Sequence, residues 1–190
     1  MKTTLSTRHR TIRTLALVAV AATALGVAAP ATAEQVGVND PADVAGASFN
    51  DIRHVSVDHG LQRVQVKVRF TDLRRRSEEG PASVAIFLDT RAKRKGPEFA
   101  LFSGLQAGTD FQLVRMRDAR PVGGPLSCRH SLDLGFATDV LTFRASRRDC
   151  LGTPARVRVG VRMTDDFDAS HPITDWLGRP RSFTRWLASS

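Results

Sequence analysis

Tyrosine is absent from this chain, and its 190 residues include only two cysteines, two tryptophans and three methionines. So few flat, amphipathic rings argue against a row of aromatic platforms of the kind that stacks on successive sugars or bases. Catalytic signatures are missing as well. No G-x-S-x-G, H-E-x-x-H or C-x-x-C occurs, so a nucleophile elbow, a zinc-protease helix and a dithiol redox couple lack local support. His54, His59, His130 and His171 are scattered without H-x-H spacing, which leaves a transition-metal site without a ligand set. No stretch carries a helical period. The longest apolar run, Leu15 to Ala29, is about 15 residues against the roughly 20 that a spanning helix needs.

That run does have a reading of its own. Lys2, Arg8, Arg10 and Arg13 precede it and Ala31-Thr32-Ala33 follows it, the order of a secretory signal peptide with an A-x-A cleavage site. The expected organisation is a signal at 1–33, a loose, small and polar lead-in at 34–50, and one domain at 51–190. Cleavage leaves about 157 residues, enough for a single domain with a real core. It also removes four cations and no acid, so the formal charge of +9 falls to about +5. No cysteine follows the apolar run and the tail RSFTRWLASS is short and polar, so neither kind of lipid anchor is expected. The product should be a released, extracellular monomer. Arginine far outnumbers lysine, as in GC-rich genomes, so the raw arginine count does not point to nucleic acid; only clustering on one surface would.

Period-two alternation dominates the remaining chain. In RVQVKVRF, Val64, Val66, Val68 and Phe70 alternate with Arg63, Gln65, Lys67 and Arg69; in RVRVGVRM, Val157, Val159, Val161 and Met163 alternate with Arg156, Arg158, Gly160 and Arg162. Each is a strand with one buried and one wet face. Weaker strands fit at 52–57, 83–88, 99–102, 111–116, 132–136 and 140–145, separated by turn residues such as Glu79-Gly80-Pro81 and Gly123-Gly124-Pro125. About eight short strands so punctuated predict an all-β, antiparallel β-sandwich. Cys128 and Cys150 flank the pair 132–136 and 140–145, so a disulfide between them would clamp the open end of a hairpin. Export makes that bond the default, and the loop of about 23 residues makes it worth roughly 3 kcal/mol.

Several groups are candidates for a site. Arg63, Lys67 and Arg69 share one strand face, as do Arg156, Arg158 and Arg162. Were the two strands neighbours in one sheet, they would present a polyanion-binding surface, although like charges directly opposite on a sheet repel. The alternative is two separate solvated faces. Trp176 and Trp186 are either sugar-stacking indoles or the lid of a core. The loop RAKRKG, with Arg91, Lys93, Arg94 and Lys95, is either an anion-contacting loop or a solvated hairpin tip, and the tip is the expectation because nothing aromatic interleaves with its charges. Asp165, Asp166 and Asp168 past a strand end, and Asp40, Asp43 and Asp51 around the lead-in, are the acidic groups that could bind calcium or merely offset nearby arginines. No other cofactor is suggested.

The order NDPADV, FNDIRHVSVDHGLQRVQVKVRFTDL and VAIFLDT resembles the opening of DOMON and family-nine carbohydrate-binding-module sandwiches. The mature chain, with GPEFAL, the cysteine pair and CLGTPARVRVGV, also resembles uncharacterised secreted proteins of high-GC Gram-positive bacteria. The first resemblance implies a sandwich, and haem or sugar binding in some members; it transfers no ligand residue, because fold does not carry activity. The expectation is a secreted non-catalytic binding module for an extracellular glycan or an anionic cell-envelope polymer. A glycan hydrolase built on two facing carboxyls, or a protein-interaction module with an exposed apolar patch, are the alternatives.

Overall fold

The computed structural model describes residues 33–44, 46–76 and 81–189. Apart from Ala33, the segment read as a signal peptide lies outside them, as do Glu79 and Gly80 of one expected turn. The strands are β1 (Glu34–Asn39), β2 (Ile52–His59), β3 (Arg63–Phe70), β4 (Ala82–Asp89), β5 (Phe99–Gly104), β6 (Phe111–Arg117), β7 (Arg120–Val122), β8 (His130–Gly135), β9 (Val140–Ser146), β10 (Arg156–Asp165), β11 (Ile173–Trp176) and β12 (Leu187–Ala188). One wide turn of π-helical form, Arg147–Leu151, follows β9. The strands form two antiparallel sheets, ordered β1-β2-β3-β9-β8 and β11-β10-β4-β5-β6-β7, with β12 also paired to β10. The all-β, disulfide-bonded sandwich expected from the alternation is present.

Alternation explains how the layers close. Val64, Val66, Val68 and Phe70 of β3 and Val157, Val159, Val161 and Met163 of β10 are buried in one core with Leu101, Leu141 and Phe143. Burial of each such side chain contributes roughly 1.5–3 kcal/mol. In β4, Val84, Ala85 and Ile86 are all buried. The reason is a second cover on the outer face of that sheet, where Ala100, Val114 and Met116 pack with Phe87 and Phe102. A sheet apolar on both faces loses the clean alternation of a half-wet one.

Four strands lie beyond the eight expected. β7 is a three-residue edge, while β1 corrects the reading of 34–50 as a loose lead-in. Glu34–Asn39 pairs with β2 from Glu34↔His59 to Asn39↔His54, and Val36 and Val38 pack against the core. A two-valine alternation interrupted by Gly37 is too short to stand out in sequence; the ladder along β2 supplies what propensity does not. At the other end, β11 lies along the second half of β10 and β12 along its first half. Between them the chain passes so close to β10 that a Cβ on Gly160 would sit 2.8 Å from the Ser182 carbonyl oxygen. Arg185 and the Ala188 N–H both meet the Glu34 carboxylate, which joins the two ends of the described chain.

The hairpin clamp is also as expected. β8 and β9 pair from Gly135↔Val140 to His130↔Ala145, and Cys128 bonds Cys150 just past the open end, with the Cα atoms 5.3 Å apart. Cys150 sits in the π-helical turn, whose start is capped by Ser146 Oγ accepting from the Asp149 N–H and whose end is Gly152 at φ 71°. Buried Arg147 fixes this turn by donating to the carbonyls of Gly60, Leu61 and Pro154.

Candidate functional site

The two basic strands are not neighbours. β3 belongs to the five-stranded sheet and β10 to the other, and because both valine rows share one core, the cation rows point away from each other. No single surface of Arg63, Lys67, Arg69, Arg156, Arg158 and Arg162 exists. Lys67 lies opposite Ser56 and Thr142 rather than another cation. On the opposite face, Arg158 donates to the buried Asp89 carboxylate at 2.8 and 2.6 Å and lies 4.9 Å from the Phe183 ring and 4.7 Å from that of Trp186. Arg162 sits 6.0 Å from Phe87 and 5.7 Å from Trp176, whose rings stack at 5.8 Å. Both indoles are half-buried. They act as partners of arginine on the outer sheet face, and neither belongs to the main core.

The acidic trio past β10 does not converge either. Asp165 is buried and accepts from Ser48 Oγ at 2.7 Å and from the Phe167 N–H. Asp168 is exposed and accepts from Ser170 and His171, contacts that hold its carboxyl below the usual range. Asp166 is half-buried between them in sequence. Among the described residues, the three carboxylates that do come together are Asp40, Asp43 and Asp175. Asp51, beside them, already accepts from the Val44 N–H, Thr71 Oγ1 and Arg53 Nη1.

Exposed positive charge concentrates elsewhere. A cleft of about 420 Å³ opens at the end of the sandwich where β4 ends and β10 begins. Arg91 and Arg94 reach it from the loop between β4 and β5, Arg115 and Arg117 from β6, and Arg148 from the π-helical turn. All five are exposed. Two acids also line it, and both have partners: Glu98 accepts from the N–H and Oγ1 of Thr90, and Asp149 accepts from the Arg129 N–H at 2.7 Å. The ion pairs among the described residues use Arg53, Arg74, Arg129, Arg158, His171 and Arg185. None uses the five cleft arginines. Cys150 and Leu151 form part of the wall, so the disulfide anchors the turn that presents Arg148.

RAKRKG is the solvated tip expected of it, yet two of its arginines also face this cleft. Arg115, Arg117 and Arg148 were not among the sequence candidates. The only local hints are RMR at the end of β6 and the SRRDC stretch; nothing in one segment reveals that three separate elements meet.

The geometry bears on the alternatives too. Asp40 and Asp175 are buried and close, as a hydrolase pair would be, but at 5% and 2% exposure no glycosidic bond can pass between them. Their oxygens accept from the Gly178 and Ile52 N–H groups. The large exposed apolar side chains among the described residues are Leu61, Val122 and Phe167, which come from separate segments. Cys128, His130 and Cys150 lie close together, but both sulfurs are in the disulfide. No helix among the described residues is long and apolar enough to cross a membrane. The molecule is therefore a disulfide-clamped, all-β sandwich with an arginine-lined cleft. Compared with known proteins, the chain matches no family model, no curated protein and no solved structure.

Proposed function

We propose that this chain is a secreted, non-catalytic binding module for an anionic extracellular polymer, held in the cleft lined by Arg91, Arg94, Arg115, Arg117 and Arg148. One observation carries this reading: five exposed guanidinium groups converge there with no ion-pair partner among the described residues, while the two acids of the same cleft are hydrogen-bonded to Thr90 and to the Arg129 N–H. Guanidinium forks match phosphate, sulfate and carboxylate oxygens bidentately. A cleft of one sign also concentrates counter-charged ligand.

The test is retention on an immobilised phosphodiester or uronate polymer, with an uncharged glucan as the control. The protein should bind the anionic matrix and elute with salt, since exposed charges are screened beyond roughly 8–10 Å at physiological ionic strength. The triple variant Arg91→Ala, Arg94→Ala, Arg148→Ala should lose at least tenfold in affinity. Equal retention of variant and parent would remove the cleft from the function.

A second reading rests on the stacked pair Phe87 and Trp176, half-buried on the outer face of the seven-stranded sheet. Such a pair suits the apolar face of a neutral sugar. In that case the glucan matrix would retain the protein, and Trp176→Ala would release it.

A further inference from the structure

The structure assigns a second, separate site: we propose that Asp40, Asp43 and Asp175 form a calcium site that ties the N-terminal strand of one sheet to the edge of the other. One carboxylate oxygen from each of the three lies within 4.8 Å of the others. Asp40 and Asp43 lie in the connection from β1 to β2, whereas Asp175 is on β11.

An acidic cluster alone would show little, because carboxylates gather at many surfaces. Here two of the three are buried, and Asp40 Oδ2 is sealed from solvent with no hydrogen-bond donor. Its other oxygen accepts from the Gly178 N–H, so Oδ2 is the orphan. A buried acceptor without a partner costs about 1–3 kcal/mol, and more when charged. Asp175 accepts a single backbone bond, from the Ile52 N–H at 2.7 Å. Arg53, whose charge partly offsets that of Asp40, is paired to Asp51 at 3.2 Å, so the trio shares this counter-charge with a fourth carboxylate. The carboxyls register this. Burial, opposed by the Ile52 N–H and reinforced by Asp40, Asp43 and Asp51, pushes Asp175 up to about 7, and burial raises Asp40 as well.

A cation bound by the three would supply the partner that Oδ2 lacks and offset the repulsion. The donors are all oxygen, which selects a hard cation over zinc or copper. Calcium takes six to eight oxygens in adaptable geometry, whereas magnesium demands a tight octahedron. Exposed Asp43 leaves a side open for entry and for water to complete the shell.

This inference is independent of the arginine cleft, and its test does not involve an anionic ligand. Calcium chloride is titrated into metal-stripped protein at pH 7.5, followed by calorimetry and thermal unfolding. We expect one calcium per chain, and a rise in Tm of about 5–10 °C at a hundredfold excess over Kd. Asp43→Asn, a change at an exposed position, should keep the fold and weaken calcium at least tenfold. Asp175→Asn should abolish the response while raising the Tm of the metal-free protein, because it removes a buried charge and keeps an acceptor for the Ile52 N–H. No calcium heat together with an unchanged Tm would overturn the site. So would a full calcium response in both variants.

Discussion

Two groups of like charge lie towards opposite ends of β10, and the fold treats them differently. Beside its start, five arginines stand exposed around a cleft; towards its end, where Asp175 pairs across from Met163, two of three carboxylates are buried. An exposed guanidinium keeps its water and costs little when unpaired. A buried carboxylate loses its water and needs a partner. The arginine group is therefore available to ligands without burdening stability, whereas the acidic group strains the fold until something offsets it. The difference matches the two sites proposed: one for a large, loosely specified polyanion, and one for a small ion held by geometry.

The largest expected effect falls on the support of the cleft. Replacing both cysteines, Cys128→Ser and Cys150→Ser, should cost roughly 3 kcal/mol in chemical denaturation and weaken anion binding, because the turn that carries Arg148 loses its anchor. A variant that loses stability but binds as before would separate the clamp from the cleft. Next comes Gly160→Ala, which forces a methyl group against the Ser182 carbonyl oxygen. It should cost about 1–3 kcal/mol, and by displacing the segment between β11 and β12 it should disturb the acidic end more than the cleft.

A smaller effect separates the two charge groups directly. The triple arginine variant should change stability by no more than about 0.5 kcal/mol despite its loss of binding. Asp175→Asn should instead alter the pH dependence of unfolding. Asp175 is held near 7 in the folded protein, above its unfolded value near 4, so the folded state keeps a proton across that window. Its contribution makes metal-free stability fall as pH rises from about 4 to about 7, and the variant should lose that slope. His59 acts in the other direction. Burial pushes its imidazole down, so its contribution is complete above about 6.5 and is lost as pH falls.

Much of the sandwich was legible because β3 and β10 alternate strictly over eight residues, and because only one cysteine pairing exists. β1 and β12 were not legible: one is a short valine alternation broken by Gly37, the other a two-residue pairing held by β10. β4 read weakly because both of its faces are covered. The sites were harder still. Arg158 and Arg162 were visible as a basic row, but Asp89, Phe87 and the two indoles that occupy them lie on distant segments of the chain. Asp40 and Asp175 are 135 positions apart in the sequence, and only the fold of β11 along β10 brings them together. Charge runs in one segment say where cations are, not what they face.

As proposed, the exposed cleft, and not the basic row of β3 or the indole face, meets the anionic ligand. The most direct measurement is a two-dimensional NMR titration of the folded protein with a soluble phosphodiester polymer. Amide shifts are expected to concentrate at 90–94, 115–117 and 148–152, with Arg63, Lys67, Arg69 and Trp176 unmoved. Shifts centred on β3 or on Trp176, with the cleft silent, would contradict it.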